Sequence, residues 1–145
     1  MNDLRAHYLR WLRRAAVVLA LPLVLIAALQ VASAATWWND PAPDAGSARY
    51  LFISVAVASV VVGRSARTRD TALLPLDEMA LRSLSWRLVV YACAPVVIGA
   101  VLAFMTRQTW DFYLMLLVTL IGVAVLFPRF DQWVAWSRQP DGGQP

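Results

Sequence analysis

Four apolar runs, at residues 15–35, 50–63, 88–106 and 112–127, take up about half of the 145-residue chain and leave little polar sequence for a soluble core. At a rise of about 1.5 Å per residue, the first and third each reach roughly 30 Å, the thickness of a bilayer's hydrocarbon core. The fourth is shorter but is framed by Trp110 and Pro128. The second is the shortest: Arg49 and Arg64 bracket fourteen apolar or small residues, so it crosses only if both arginines extend toward the head groups or the bilayer thins. With 60% hydrophobic and 15% charged residues, a large soluble catalytic domain is excluded.

The arginines select an even number of crossings. All thirteen basic residues are arginine. With four spans, eleven of the thirteen (Arg5, Arg10, Arg13, Arg14, Arg64, Arg67, Arg69, Arg82, Arg87, Arg129 and Arg138) share one side, and only Arg49 and Arg107 fall on the other. The positive-inside rule then predicts a cytoplasmic (inner) membrane with both termini and the 65–87 connection in the cytoplasm. Demoting the second run to a surface segment would export that arginine-rich connection. Trp11, Trp37, Trp38, Trp86, Trp110, Trp133 and Trp136 all fall at span ends, which predicts an interfacial aromatic belt.

Residues 1–34 have the outline of a secretory leader, with a basic start, an apolar run and Ala32-Ser33-Ala34 as a small-x-small site. Against cleavage, the run of twenty-one residues exceeds the roughly 7–15 of a leader's apolar core. An internal repeat points the same way. A shift of 73 residues superimposes Arg14 on Arg87, Val17 on Val90, Pro22 on Pro95, Val24 on Val97, Ala27 on Ala100, Leu29 on Leu102, Thr36 on Thr109 and Trp37 on Trp110, eight identities in twenty-four ungapped positions. The third span is internal, so its repeat partner is expected to be retained as a span.

The expected fold is an all-α integral membrane protein. Four transmembrane helices, at 15–36, 49–64, 88–106 and 110–128, form two tandem hairpins related as a parallel repeat and packed as a compact bundle. Short amphipathic juxtamembrane segments are expected at 1–14, within 65–87 and at the start of 129–145. Leu4, Tyr8, Trp11 and Leu12, then Met79, Ala80, Leu84 and Trp86, then Phe130, Trp133 and Val134 would face lipid there. The tail from Ser137 reads as disordered.

Within this frame three groups of residues stand out. Pro22 and Pro95 hold matching places in the first and third spans, where a missing amide hydrogen bends a helix, and are candidate hinges. Small residues four apart, Ser54 with Ala58, Ser59 with Gly63, and Gly99 with Ala103, are candidates for close helix packing, within the bundle or in an oligomer. Arg10, Arg13, Arg14, Arg64, Arg67, Arg69 and Arg87 are candidate contacts to acidic lipid head groups or an acidic partner.

No Asp, Glu, His, Lys or Arg lies within the core of the four runs, whose polar content is Gln30, Ser33, Ser54, Ser59, Cys93, Thr106 and Thr119. Proton relays ordinarily need an ionisable group at depth, so proton-coupled transport is disfavoured. In size and helix number the chain resembles the small multidrug-resistance exporters, but their membrane-embedded glutamate has no counterpart here. His7 is the single histidine and Cys93 the single cysteine, so no metal site, disulfide or cofactor is expected. Asp77 with Glu78 reads as an N-cap and first turn. Asp40, Asp44 and Asp111 would lie on the outer face without a catalytic motif beside them. No polar segment is long enough for a nucleic-acid module.

The residues therefore predict a small non-enzymatic integral membrane protein, an accessory or assembly subunit packing against another membrane protein or a second copy of itself. A transporter or channel for an apolar or lipid-like solute, and an immunity-type protein against a membrane-active toxin, are the alternatives.

Overall fold

The computed structural model describes residues 2–34, 45–72 and 76–137. Thr36, Trp37, Trp38, Asp40, Asp44 and Arg138, and with them part of the repeat and the tail, lie outside the described residues. Six helices follow one another: α1 (Asn2–Leu19), α2 (Leu21–Ser33), α3 (Ala45–Thr71), α4 (Glu78–Thr106), α5 (Thr109–Leu126) and α6 (Phe130–Ser137). Four helical stretches are long and apolar enough to cross a membrane: Asp3–Ser33, Gly46–Thr71, Glu78–Thr106 and Thr109–Leu126. The protein is a helical bundle with four candidate membrane-spanning helices.

α4 is the central helix. It lies against α3 and α5 along most of its length, and glycines set the approach. A methyl group built at Gly99 would fall 2.4 Å from Met115 Cβ on α5. One at Gly63 would fall 2.9 Å from Tyr91 Cβ and 2.7 Å from Leu126 Cδ1, and one at Gly122 3.3 Å from the Ala92 carbonyl oxygen. Backbones this close gain dispersion contacts that any larger residue would forfeit. The ends of α4 are equally specified. Asp77 caps its start, accepting from the Ala80 amide at 2.7 Å, as the sequence predicts. At its end Arg107 adopts φ 55°, the left-handed conformation that stops a helix, and Gln108 leads directly into α5.

The matching prolines behave differently. Two residues before Pro22 the helix is interrupted at Ala20 alone: the Leu23 and Val24 amides both bond its carbonyl, at 3.0 and 3.4 Å, and α1 gives way to α2 within the one stretch Asp3–Ser33. α4 runs through Pro95 unbroken. Pro95 cannot bond the carbonyl four residues back, that of Tyr91. The Ser59 hydroxyl of α3, which donates to Ala56 O at 2.7 Å, lies 3.4 Å from that freed oxygen and offers it a second, longer bond. A neighbouring hydroxyl is one of the ways a membrane helix accommodates proline.

The helix that holds the second span is longer than the 49–64 expected of the span itself: α3 runs from Ala45 to Thr71 and carries Arg64, Arg67 and Arg69 on its last turns, because nothing between Gly63 and Thr71 breaks a helix. The juxtamembrane segments run into the spans, from Asn2 as the first turns of α1 and from Glu78 as those of α4, and Phe130–Ser137 forms α6. Their apolar faces divide: Trp11, Leu84 and Trp133 are buried in one cluster with Leu81 and Trp136, whereas Met79 is 80% exposed. So the tryptophans of this end form an internal aromatic cluster, not a lipid-facing belt, while Trp110 at the other end is 73% exposed.

The two halves also pack unequally. α4 and α5 form a close antiparallel hairpin, and α3 joins it through Ala56, Gly63 and Leu102. α2 touches α4 and α5 sparsely, through Leu29, Val96, Ala100 and Phe112, and has no comparable seam with α3. Neither α1 nor α2 contains a glycine, so neither backbone can reach the distances that Gly99, Gly63 and Gly122 permit.

Candidate functional site at the arginine-bearing end

At one end of the bundle α1, the start of α4 and α6 converge. Seven-residue spacing brings His7 and Arg14 to one face of α1, with Arg10 and Trp11 between them, and four-residue spacing stacks Glu78 beneath Arg82 on α4. These six residues line a cavity of about 130 Å³ whose floor is Trp133 of α6. His7 Nδ1 contacts the Glu78 carboxylate. Among the described residues, Arg10, Arg14 and Arg82 have neither a carboxylate nor a hydrogen-bond partner.

The aromatic floor is held from several sides. Trp133 donates to Ser85 Oγ at 2.9 Å, Tyr8 donates to the Pro128 carbonyl at 3.2 Å, and the Leu76 amide bonds the Trp136 carbonyl at 2.9 Å. Trp11 packs its ring 5.7 Å from Trp133 and 5.5 Å from Phe127. Such pairs each add about 0.5–1.5 kcal/mol beyond simple burial. Trp11 is 2% exposed, yet its indole Nε1 has no hydrogen-bond partner. A buried donor left unpaired costs about 1–3 kcal/mol, which makes this atom the exception in an otherwise satisfied cluster.

The arginines singled out by sequence divide into two groups. Arg67 and Arg87 are used internally. Arg67 donates to the Val125 carbonyl at 3.0 Å and lies 5.6 Å over the Trp136 ring, while Arg87 reaches Ser83 Oγ at 3.2 Å and Asp70 at 3.3 Å. Arg13, Arg64 and Arg69 are exposed, and Arg10 and Arg14 border the cavity. Arg82, which sequence reasoning did not select, completes the basic rim.

The opposite end holds a polar constellation that sequence reasoning missed. Asp111, in the first turn of α5, is 4% exposed. Its carboxylate accepts from Thr106 Oγ1 at 2.7 Å and from Arg49 Nε, which stands 2.9 Å from Oδ1 and 3.1 Å from Oδ2. Arg49 also donates to Gln108 Oε1. Asp111, expected at this end of the bundle, is a buried acceptor tying the start of α3 to the α4–α5 turn. These four side chains, hydrogen-bonded to one another, make a structural tie.

The small-residue candidates also divide. Ser59, Gly63, Gly99 and Ala103 lie in the seams among α3, α4 and α5, whereas Ser54 and Ala58 are exposed on the far side of α3. Ser54 merely returns a hydrogen bond of 2.7 Å to the Tyr50 carbonyl. Among the described residues no group of three or more His, Cys, Asp or Glu could hold a metal ion. Comparison with protein families, with curated proteins and with solved structures finds no match, so every functional reading of this chain rests on its own residues.

Proposed function

We propose that this chain is a small non-enzymatic accessory subunit of an inner-membrane assembly, docking against the transmembrane helices of another membrane protein. The reading is carried by the seating of α2. An apolar groove of about 430 Å³ runs along one side of it, between Pro22, Leu23 and Ile26 and the α5 residues Leu116 and Leu120. A second, of about 360 Å³, runs along the other side between Leu21 and the α4 residues Val90, Ala94 and Val97. A helix flanked on both sides by grooves lined with apolar residues suits insertion of a partner's side chains. Orientation follows from the arginines, with their end of the bundle in the cytoplasm and both termini there. The 73-residue repeat is read as a statement of direction, both halves entering from the arginine end, rather than of equal packing.

A photo-crosslinking side chain at Leu23 or Val97, activated in native membranes, is expected to yield one discrete protein adduct. Lipid adducts alone from both positions would contradict an accessory role. Pro22, which lines the larger groove two residues after the interruption at Ala20, favours as second reading a path for an apolar or lipid-like solute. Reconstituted vesicles should then show a flux that Pro22→Ala changes. Flux indifferent to that substitution removes this alternative.

A further inference from the structure

We propose that the cavity rimmed by Arg10, Arg14 and Arg82 binds a single phosphate group, carried by an anionic phospholipid head group or by the free ion. Three guanidinium groups converge there, and the one carboxylate on the rim, Glu78, is engaged by His7. Arginine's planar fork of donors suits phosphate oxygens, and charge-assisted bonds of this kind are about twice as strong as neutral ones. Trp11 forms part of the same lining, with its indole N–H buried away from the opening and unpartnered.

The cavity opens to the surface, so a group carried on a larger molecule can enter it. Position favours the lipid source: Arg14 directly precedes the apolar run that begins at Ala15, so the rim stands at head-group level. The proposal needs no protein partner and stands or falls separately from the accessory role.

Native mass spectrometry of the full chain, released from non-ionic micelles doped with phosphatidylglycerol or phosphatidylcholine, tests it. One phosphatidylglycerol per chain is expected to be retained in preference to phosphatidylcholine. Arg82→Gln, an exposed substitution that leaves the core intact, should weaken retention about tenfold, and Arg10→Gln should weaken it severalfold. Arg13→Gln and Arg69→Gln remove equal charge away from the cavity and should leave retention within about twofold. Displacement by millimolar inorganic phosphate would identify the free ion as a ligand too, and resistance to it would identify the lipid. Equal losses in all the arginine variants, or no preference for the anionic lipid, would overturn the proposal.

Discussion

Gly99→Ala is the substitution whose outcome depends most sharply on the packing of α4 against α5. In an unconstrained helix, replacing glycine by alanine stabilises by about 0.8–1.0 kcal/mol. Here the new methyl would fall 2.4 Å from Met115 Cβ and 2.8 Å from Met115 Cγ, with Phe112 Cα at 3.6 Å. Carbons in contact prefer about 3.5–4.0 Å, so the helices must part by about 1 Å along this line. Met115 Cβ is fixed to its backbone, so no rotamer change relieves the clash. Overpacking of this kind costs about 1–3 kcal/mol against a propensity gain of about 1, and a clash with a fixed Cβ at 2.4 Å belongs at the upper end, for a net loss of up to about 2 kcal/mol. Gly46→Ala is the internal reference, because nothing lies within 4 Å of a methyl group there. Unfolding of the purified protein by titration with sodium dodecyl sulfate in mixed micelles should rank Gly46→Ala at or above the parent and Gly99→Ala clearly below it. If Gly99→Ala is as stable as Gly46→Ala, α4 and α5 do not cross as described.

Three further outcomes follow from the same packing. Asp111→Ala strands Arg49 and the buried Thr106 hydroxyl, and because the Arg49 side chain is 32% exposed the loss falls below that of a fully buried pair, at about 2–3 kcal/mol. A double-mutant cycle with Arg49→Gln should recover a coupling above about 0.5 kcal/mol, and additive losses would dissolve the tie. Ser59→Ala should cost about 0.5–1 kcal/mol in the parent and less in a Pro95→Ala background, where the Tyr91 carbonyl regains a backbone partner; equal costs in both would separate Ser59 from Pro95. Ala58→Leu, on the exposed side of α3, should leave unfolding within about 0.5 kcal/mol of the parent. A large loss there would mean that the α3 register is wrong.

Much of the architecture is legible from apolar runs and punctuation. Asp77 announces the start of α4, and Ser59, Gly63, Gly99 and Ala103 announce close seams, because capping and small-residue spacing are properties of a single helix. What escapes the sequence is pairing between helices. The match of Pro22 with Pro95 carries no sign that Ser59 stands opposite only one of the carbonyls those prolines free. Likewise, spacing gave equal weight to Ser54 with Ala58 and to Ser59 with Gly63, and only the placement of Tyr91 and Leu126 turns the second pair inward. Asp111 looks like a loop carboxylate until the left-handed turn at Arg107 swings it toward Thr106 and Arg49. The tryptophans illustrate the same limit: an indole at a span end suits lipid or a neighbouring helix equally well, and α6, folding back over α1, decides between them.

Four crossings with the arginine-bearing end in the cytoplasm is the claim beneath every other, and cysteine accessibility tests it most directly. In a Cys93→Ala background, single cysteines at Ala6, Ala72 and Asp131 mark one end of the bundle, and at Ser47 and Trp110 the other. A membrane-impermeant maleimide added to intact cells, with the outer membrane opened where there is one, should label the Ser47→Cys and Trp110→Cys proteins at once. The other three should react only after the inner membrane is permeabilised. Labelling of Ala72→Cys from outside, or opposite sidedness for Ala6→Cys and Asp131→Cys, would contradict the account.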